Sequence, residues 1–112
     1  MIVKRFVETE RGVVARVTFA VPNSAWADVI HLVGDFNAWN HHSHPLKRDR
    51  QGKWILTVDL EIGRAYQFRY LVDGRLWTND NDADAYVHNS FGSDNFVVVT
   101  DENFRQYHDG RS

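Results

Sequence analysis

Trp39, Arg69, Trp77 and Asn95 are the side chains whose types and placement could do chemistry, and that chemistry is recognition more than reaction. Trp39 stands at the tip of a loop in IHLVGDFNAWN (residues 30–40), and Trp77 follows the Asp73 and Gly74 turn of YQFRYLVDGRLW (residues 66–77). An indole offers a broad apolar face whose negative π cloud attracts C–H groups. Two indoles therefore suit a ring with an apolar face and a polar rim. Arg69 carries a planar fork of N–H donors that can span adjacent hydroxyls. Asn95 offers a donor and an acceptor together, matching a hydroxyl that is both. The residues alone describe a flat, hydroxyl-rich ligand. Each also has a plainer role: either Trp can lid the end of the fold, Arg69 can be a solvated arginine or a surface ion-pair partner, and Asn95 can form a turn before a strand.

Other candidates weigh less. Trp54 alternates in phase with Leu56 and Val58, which favours core packing, and Trp26 is expected to anchor the loop over residues 22–28. His41, His42 and His44 invite a metal reading because imidazole ligates Zn²⁺ and Cu²⁺. Neighbouring loop histidines need not converge, and no carboxylate or Cys ligand accompanies them, so a solvated loop is expected and no metal is assigned. Asp80, Asp82 and Asp84 begin like a calcium loop, but Ala85 stands where Gly is needed and Phe91 where Glu is needed.

Catalysis fails by inventory. Glycoside hydrolysis needs two carboxyl groups roughly 5–10 Å apart across a sugar. The acids near the proposed face, Asp35 and the 80–84 group, are expected on polar loops without an apolar pocket to raise one pKa. Neither a Gly-x-Ser-x-Gly elbow, a phosphate-binding glycine loop nor a Cys nucleophile is present. The expectation is a non-enzyme without a cofactor.

The elements that must position these residues are strands. Val13, Ala15, Val17, Phe19 and Val21 alternate with Val14, Arg16, Thr18 and Ala20, the period of a half-buried strand. Trp54, Leu56, Val58 and Leu60 share one face of another strand. Tyr66, Phe68, Tyr70 and Val72 share one face of a third, which turns Arg69 away from the core. Strands are also expected near residues 2–8, over 29–33 and over 95–100, with Asp73 and Gly74 supplying the positive φ of a two-residue hairpin turn. No stretch of ten residues has a helical period. The pattern predicts an all-β, immunoglobulin-like sandwich of about seven to eight short antiparallel strands. One domain is expected over residues 1–100, followed by a polar tail over 101–112 in which Phe104 and Tyr107 could dock.

Six segments in one order carry a family resemblance. VGDFNAWN, a Leu-Lys-Arg strand, GKWILTVDL, IGRAYQFRYLVDG, a Trp-Thr-Asn-Asp run and FGSDNFVVV resemble the early-set glycogen-binding modules. Such modules precede the catalytic domain of isoamylase and branching enzymes and occur in the β subunit of AMP-activated protein kinase. The resemblance covers about residues 29–99. It implies sugar contacts from two Trp, a base, a loop apolar residue, a hydroxyl and a late Asn, which fall on Trp39, Trp77, Arg69, Phe91, Ser93 and Asn95. This chain departs from the pattern in having Arg rather than Lys at 69, an inserted Leu76 before Trp77, and Asn-Asp-Asn-Asp in place of Asp-Pro.

Size and charge agree with a binding module. At 112 residues the chain can build a real core, leaving roughly 35–40% of its unfolded surface exposed. It is far shorter than the ~250 residues of a (β/α)₈ barrel. A net charge of −2 with interspersed signs gives no footprint for nucleic acid. No apolar run is long enough for a signal peptide or membrane span. The absence of Cys suits a reducing cytoplasm. The expected partner is α-glucan or maltooligosaccharide, with a protein partner or a second copy of the chain as the alternative.

Overall fold

In the computed structural model, residues 1–21, 26–78, 80, 82–88 and 94–101 are described. Nine strands run in chain order: β1 (Ile2–Thr9), β2 (Gly12–Val21), β3 (Ile30–Gly34), β4 (Lys47–Arg48), β5 (Trp54–Leu60), β6 (Ala65–Val72), β7 (Leu76–Thr78), β8 (Ala85–His88) and β9 (Asp94–Val99). Among the described residues a single 3-10 turn, Asp35–Asn37, follows β3. The strands form two sheets, ordered β1-β2-β5-β4 and β3-β6-β9-β8. β7 extends the second sheet: Ala65–Phe68 of β6 face β9, whereas Tyr70–Val72 face β7 on the same edge. All pairs are antiparallel, giving the immunoglobulin-like sandwich.

The period-2 pattern does what it predicts. Ala15, Val17 and Phe19 of β2 and Phe68, Tyr70 and Val72 of β6 lie between the sheets, each at most 1% exposed. An aromatic cluster knits the layers together. Phe19 meets Phe68 at 5.2 Å between centroids, and Phe68 meets Tyr70 at 5.7 Å and Phe96 at 6.4 Å, all edge-on, the arrangement the ring quadrupoles favour. Trp54 is buried in this core, and the Arg48 guanidinium lies 4.8 Å over its ring.

The structure departs from the pattern-based expectation at three places. Among the described residues there are nine strands, against an expectation of about seven to eight. β8 has all four residues exposed and β7 has three residues, so neither shows an alternation to detect. The β6–β7 turn has the expected positive φ at Asp73 (54°) and Gly74 (75°), yet Val72 pairs with Leu76. Arg75 joins the loop, which absorbs the inserted residue and leaves Trp77 opposite Leu71. Trp26 is 62% exposed and does not anchor its loop. The anchors are Ala27, buried with its carbonyl accepting from Arg48 at 2.8 Å, and Asp73, whose Oδ1 accepts the amides of Asp28 and Val29 at 2.8 and 3.0 Å. Among the described residues no helix is long and apolar enough to cross a membrane.

Candidate functional site

The Gly-Asp-Phe-Asn segment after β3 is a bracket in which each residue type has a separate reason. Gly34 crosses β6 so closely that a Cβ would lie 2.4 Å from the Gln67 carbonyl oxygen and 2.9 Å from the Phe68 Cβ. Phe36 turns inward, 6.1 Å from Phe19 and 6.0 Å from Tyr66. Asn37 closes the turn: its Oδ1 accepts from Gly34 N at 3.0 Å, and its Nδ2 donates to Leu32 O at 3.0 Å. The Asp35 carboxylate splits its two oxygens. Oδ1 accepts the Trp39 indole N–H at 3.0 Å and Oδ2 accepts the Gln67 amide at 2.7 Å.

Trp39 is therefore positioned rather than loose. Ala38 and Trp39 both occupy the left-handed region, with φ of 55° and 58°, which costs about 1–3 kcal/mol for each non-glycine residue. The strain is held by Trp39 N donating to Gly34 O at 2.9 Å and Asn40 N to Asn37 O at 3.0 Å. Strain of this kind concentrates at binding sites, where the fold overrides local preference.

β6 supplies the next members. Gln67, Arg69 and Leu71 alternate with the core residues and face outward. Gln67 Oε1 accepts from Asn95 Nδ2 at 2.9 Å, bringing Asn95 of β9 beside the same strand. Two residues on, about 7 Å along the strand, the Arg69 guanidinium lies over the Trp77 ring at 5.4 Å from its centroid, a cation–π contact. His41 packs edge-on against that indole, with centroids 5.3 Å apart and planes at 81°. Arg69 thus meets Trp77 beside β6, Asn95 joins Gln67 on the same strand, and Trp39 is tied to that strand through Asp35. Phe91 and Ser93 lie outside the described residues, as do Phe104 and Tyr107.

The acids are structural. The acids lie outside the strands as expected, but Asp80 and Asp84 are buried, whereas Asp35 and Asp82 are exposed. Asp80 accepts the Tyr70 hydroxyl at 2.6 Å and the Met1 α-amino group at 2.9 Å. Burial, followed by the Asp80 charge, pushes the Tyr70 hydroxyl far above its usual range. Asp84 accepts Lys4 at 2.8 Å and Val99 N at 2.7 Å. No group of three His, Cys, Asp or Glu among the described residues is placed to hold a metal ion. A concavity of about 980 Å³ lies at the β1–β2 and β5–β6 turns, lined by Glu10, Arg11, Asp59 and Glu61 among others. It holds none of the candidate residues and no aromatic ring.

Sequence reasoning had missed Asp35 and Gln67 as organisers. Gln67 was detectable, since it shares the outward phase of Arg69. Asp35 carries no such signal, because its partners are a tip residue four positions on and an amide on a distant strand. His31 was missed too. Its register partner is Leu71, whose other neighbour is Trp77. Its ring meets that of His42 edge-on at 5.7 Å. Its pKa lies below the ordinary value because of burial first, then the charges of His42 and His41.

Residues 8–87 match the model of carbohydrate-binding module 48 (isoamylase N-terminal domain). The chain is 33% identical over 85 residues to a 1,4-alpha-glucan branching enzyme of Photobacterium profundum, covering 74% of the chain and 12% of that enzyme. It is 53% identical over 32 residues to the 1,4-alpha-glucan-branching enzyme of Dictyostelium discoideum, covering 29% and 5%. It is 38% identical over 60 residues to an amyloplastic phosphoglucan phosphatase of Castanea sativa, covering 53% and 16%. The chain therefore spans only 5–16% of the length of these relatives. With the family model covering most of a chain that folds as this sandwich, the protein belongs to the carbohydrate-binding module 48 (isoamylase N-terminal domain) family.

Proposed function

We propose that this chain is a non-catalytic α-glucan-binding module whose site is the outer side of the β3-β6-β9-β8 sheet, around β6 and β7. Sugar rings stack on Trp39 and Trp77, while Arg69 and Asn95 hydrogen-bond the hydroxyl rim. Phe91 and Ser93, which the family resemblance implies as further sugar contacts, complete the proposed set. The observation that carries the reading is the double anchoring of the tryptophans to one strand: Trp39 through Asp35 to Gln67, and Trp77 against Arg69. A preorganised platform loses less entropy on binding. An open face with two stacking residues predicts a Kd of tens of µM to mM, or about −4 to −6 kcal/mol. The ligand class is glycogen, a starch-like polymer or a maltooligosaccharide, and the cysteine-free chain suits a cytoplasmic setting.

Affinity electrophoresis through glycogen-containing gels tests it. The wild type should be retarded, and the folded Trp39→Ala/Trp77→Ala double variant should migrate as in a glycogen-free gel. Absence of retardation of the wild type at any glycogen concentration would reject the reading. A second reading, a protein-interaction module, is favoured by edge strand β8, where Tyr86 and Val87 are 56% and 40% exposed and a further strand could add. Sedimentation of the chain across concentrations would expose self-association.

A further inference from the structure

Residues 41 and 42 stand in a particular relation to the sheet. His31, Leu71 and Trp77 form one row across β3, β6 and β7. His42 meets the His31 ring at one end of this row, and His41 meets the Trp77 ring at the other. Leu71 between them lies outside the core cluster, yet only 3% of it is exposed. The Trp39 loop thus continues across the outer side of the sheet and reaches the second tryptophan.

Trp77 needs that support. It sits on a three-residue strand that, among the described residues, pairs only with the end of β6, so the ladder alone fixes its indole weakly. Arg69 over the ring and His41 nearly perpendicular to it restrict the indole from two directions. Holding a side chain in its bound geometry before the ligand arrives raises affinity without adding a contact.

We infer that His41 is a positioning residue for the glucan-stacking Trp77, and that the His31, His41 and His42 group makes sugar binding weaken on acidification. This rests on the glucan reading above. Among the described residues, the charged and titratable groups in contact with Trp77 or one step from it are Arg69 from β6, His41 and His42 from the loop and His31 from β3, with Arg75 in the turn before β7. β7 itself contributes Leu76, Trp77 and Thr78 and no charge. Asp35, the acid of the same loop, is occupied by Trp39 and Gln67. His44 is turned to Asn37 and Ser43. Protonating more than one imidazole beside Arg69 places like charges together. The loop then parts from the row and Trp77 loses its edge contact. The pKa of His31 is depressed first by burial and only then by the charges of His42 and His41, so the ring contacts and not this shift carry the inference.

Calorimetric titration of the full chain with maltoheptaose at pH 7.5 and pH 5.5 tests the inference. The expected results are binding about three- to ten-fold weaker in His41→Ala at pH 7.5, and a similar loss in the wild type between pH 7.5 and 5.5. His41→Phe/His42→Gln keeps an aromatic edge without titrating; it should bind like the wild type at pH 7.5 and lose little on acidification. Near-uniform affinity of His41→Ala and wild type at both pH values would overturn the inference, as would an unchanged pH profile in His41→Phe/His42→Gln. A wild type that binds while Trp77→Ala does not leaves the glucan reading intact in either case. A wild type that binds no maltoheptaose at pH 7.5 would overturn both.

Discussion

One carboxylate, Asp35, holds the Trp39 indole nitrogen at 3.0 Å through Oδ1 and the Gln67 backbone amide at 2.7 Å through Oδ2. The tip of a strained loop is thereby referenced to the central strand of the sheet that carries Arg69. Replacing Asp35 by Ala removes two charge-assisted bonds and should cost about 1–3 kcal/mol of stability. It should also weaken glucan retardation several-fold, because Trp39 can then rotate. Urea unfolding and affinity electrophoresis on the same variant separate the two effects.

Gly34 is needed for space and not for φ, which is extended at −175°. With a carbonyl oxygen 2.4 Å from the Cβ position, Gly34→Ala must push β3 off β6. The expected cost is about 3 kcal/mol or more, read as a drop in the urea midpoint with little change in slope.

His31 links stability to pH. Its folded-state pKa lies below the unfolded value near 6.5, so the unfolded chain binds the proton more readily. Stability therefore rises with pH through the window below about 6.5 and is complete above it. Urea midpoints of the wild type should fall from pH 7 to pH 5 by more than those of His31→Gln. Equal falls would remove His31 from the account.

Tyr70 and Asp80 form a buried pair, with the hydroxyl donating at 2.6 Å to a carboxylate on a residue only 3% exposed. Tyr70→Phe leaves the shape of the core but strips Asp80 of one donor, and about 1–3 kcal/mol of stability should go with it. Because the Tyr70 hydroxyl is raised in the folded state by burial and then by Asp80, its phenol should not ionise in the ordinary tyrosine range. Absorbance titration should show its share only on unfolding.

The sequence patterns that predicted the fold are those a single strand carries by itself. β2 and β6 announce their buried faces in every second residue, and from β6 the outward direction of Arg69 follows at once. β7 and β8 are strands because a neighbour pairs with them, which no local pattern records. The site divides the same way. Type, spacing and family resemblance single out Trp39, Arg69, Trp77 and Asn95 as candidates. The partners that fix them could not. Asp35 meets Gln67 thirty-two positions away, and Asp84 meets Lys4 across eighty. Trp26 went the other way: an apolar residue in a short loop looked like an anchor, while the backbone of its neighbours does the anchoring.

The most direct test of the central claim is the set of indole N–H resonances in a ¹⁵N-labelled sample titrated with maltoheptaose. The chain has four tryptophans, each giving one indole signal. The account predicts progressive shifts for Trp39 and Trp77, with Trp54, buried under Arg48, and Trp26, on the β2–β3 loop, unmoved. Shifts confined to Trp26, or none at sugar concentrations well above the millimolar range, would contradict it.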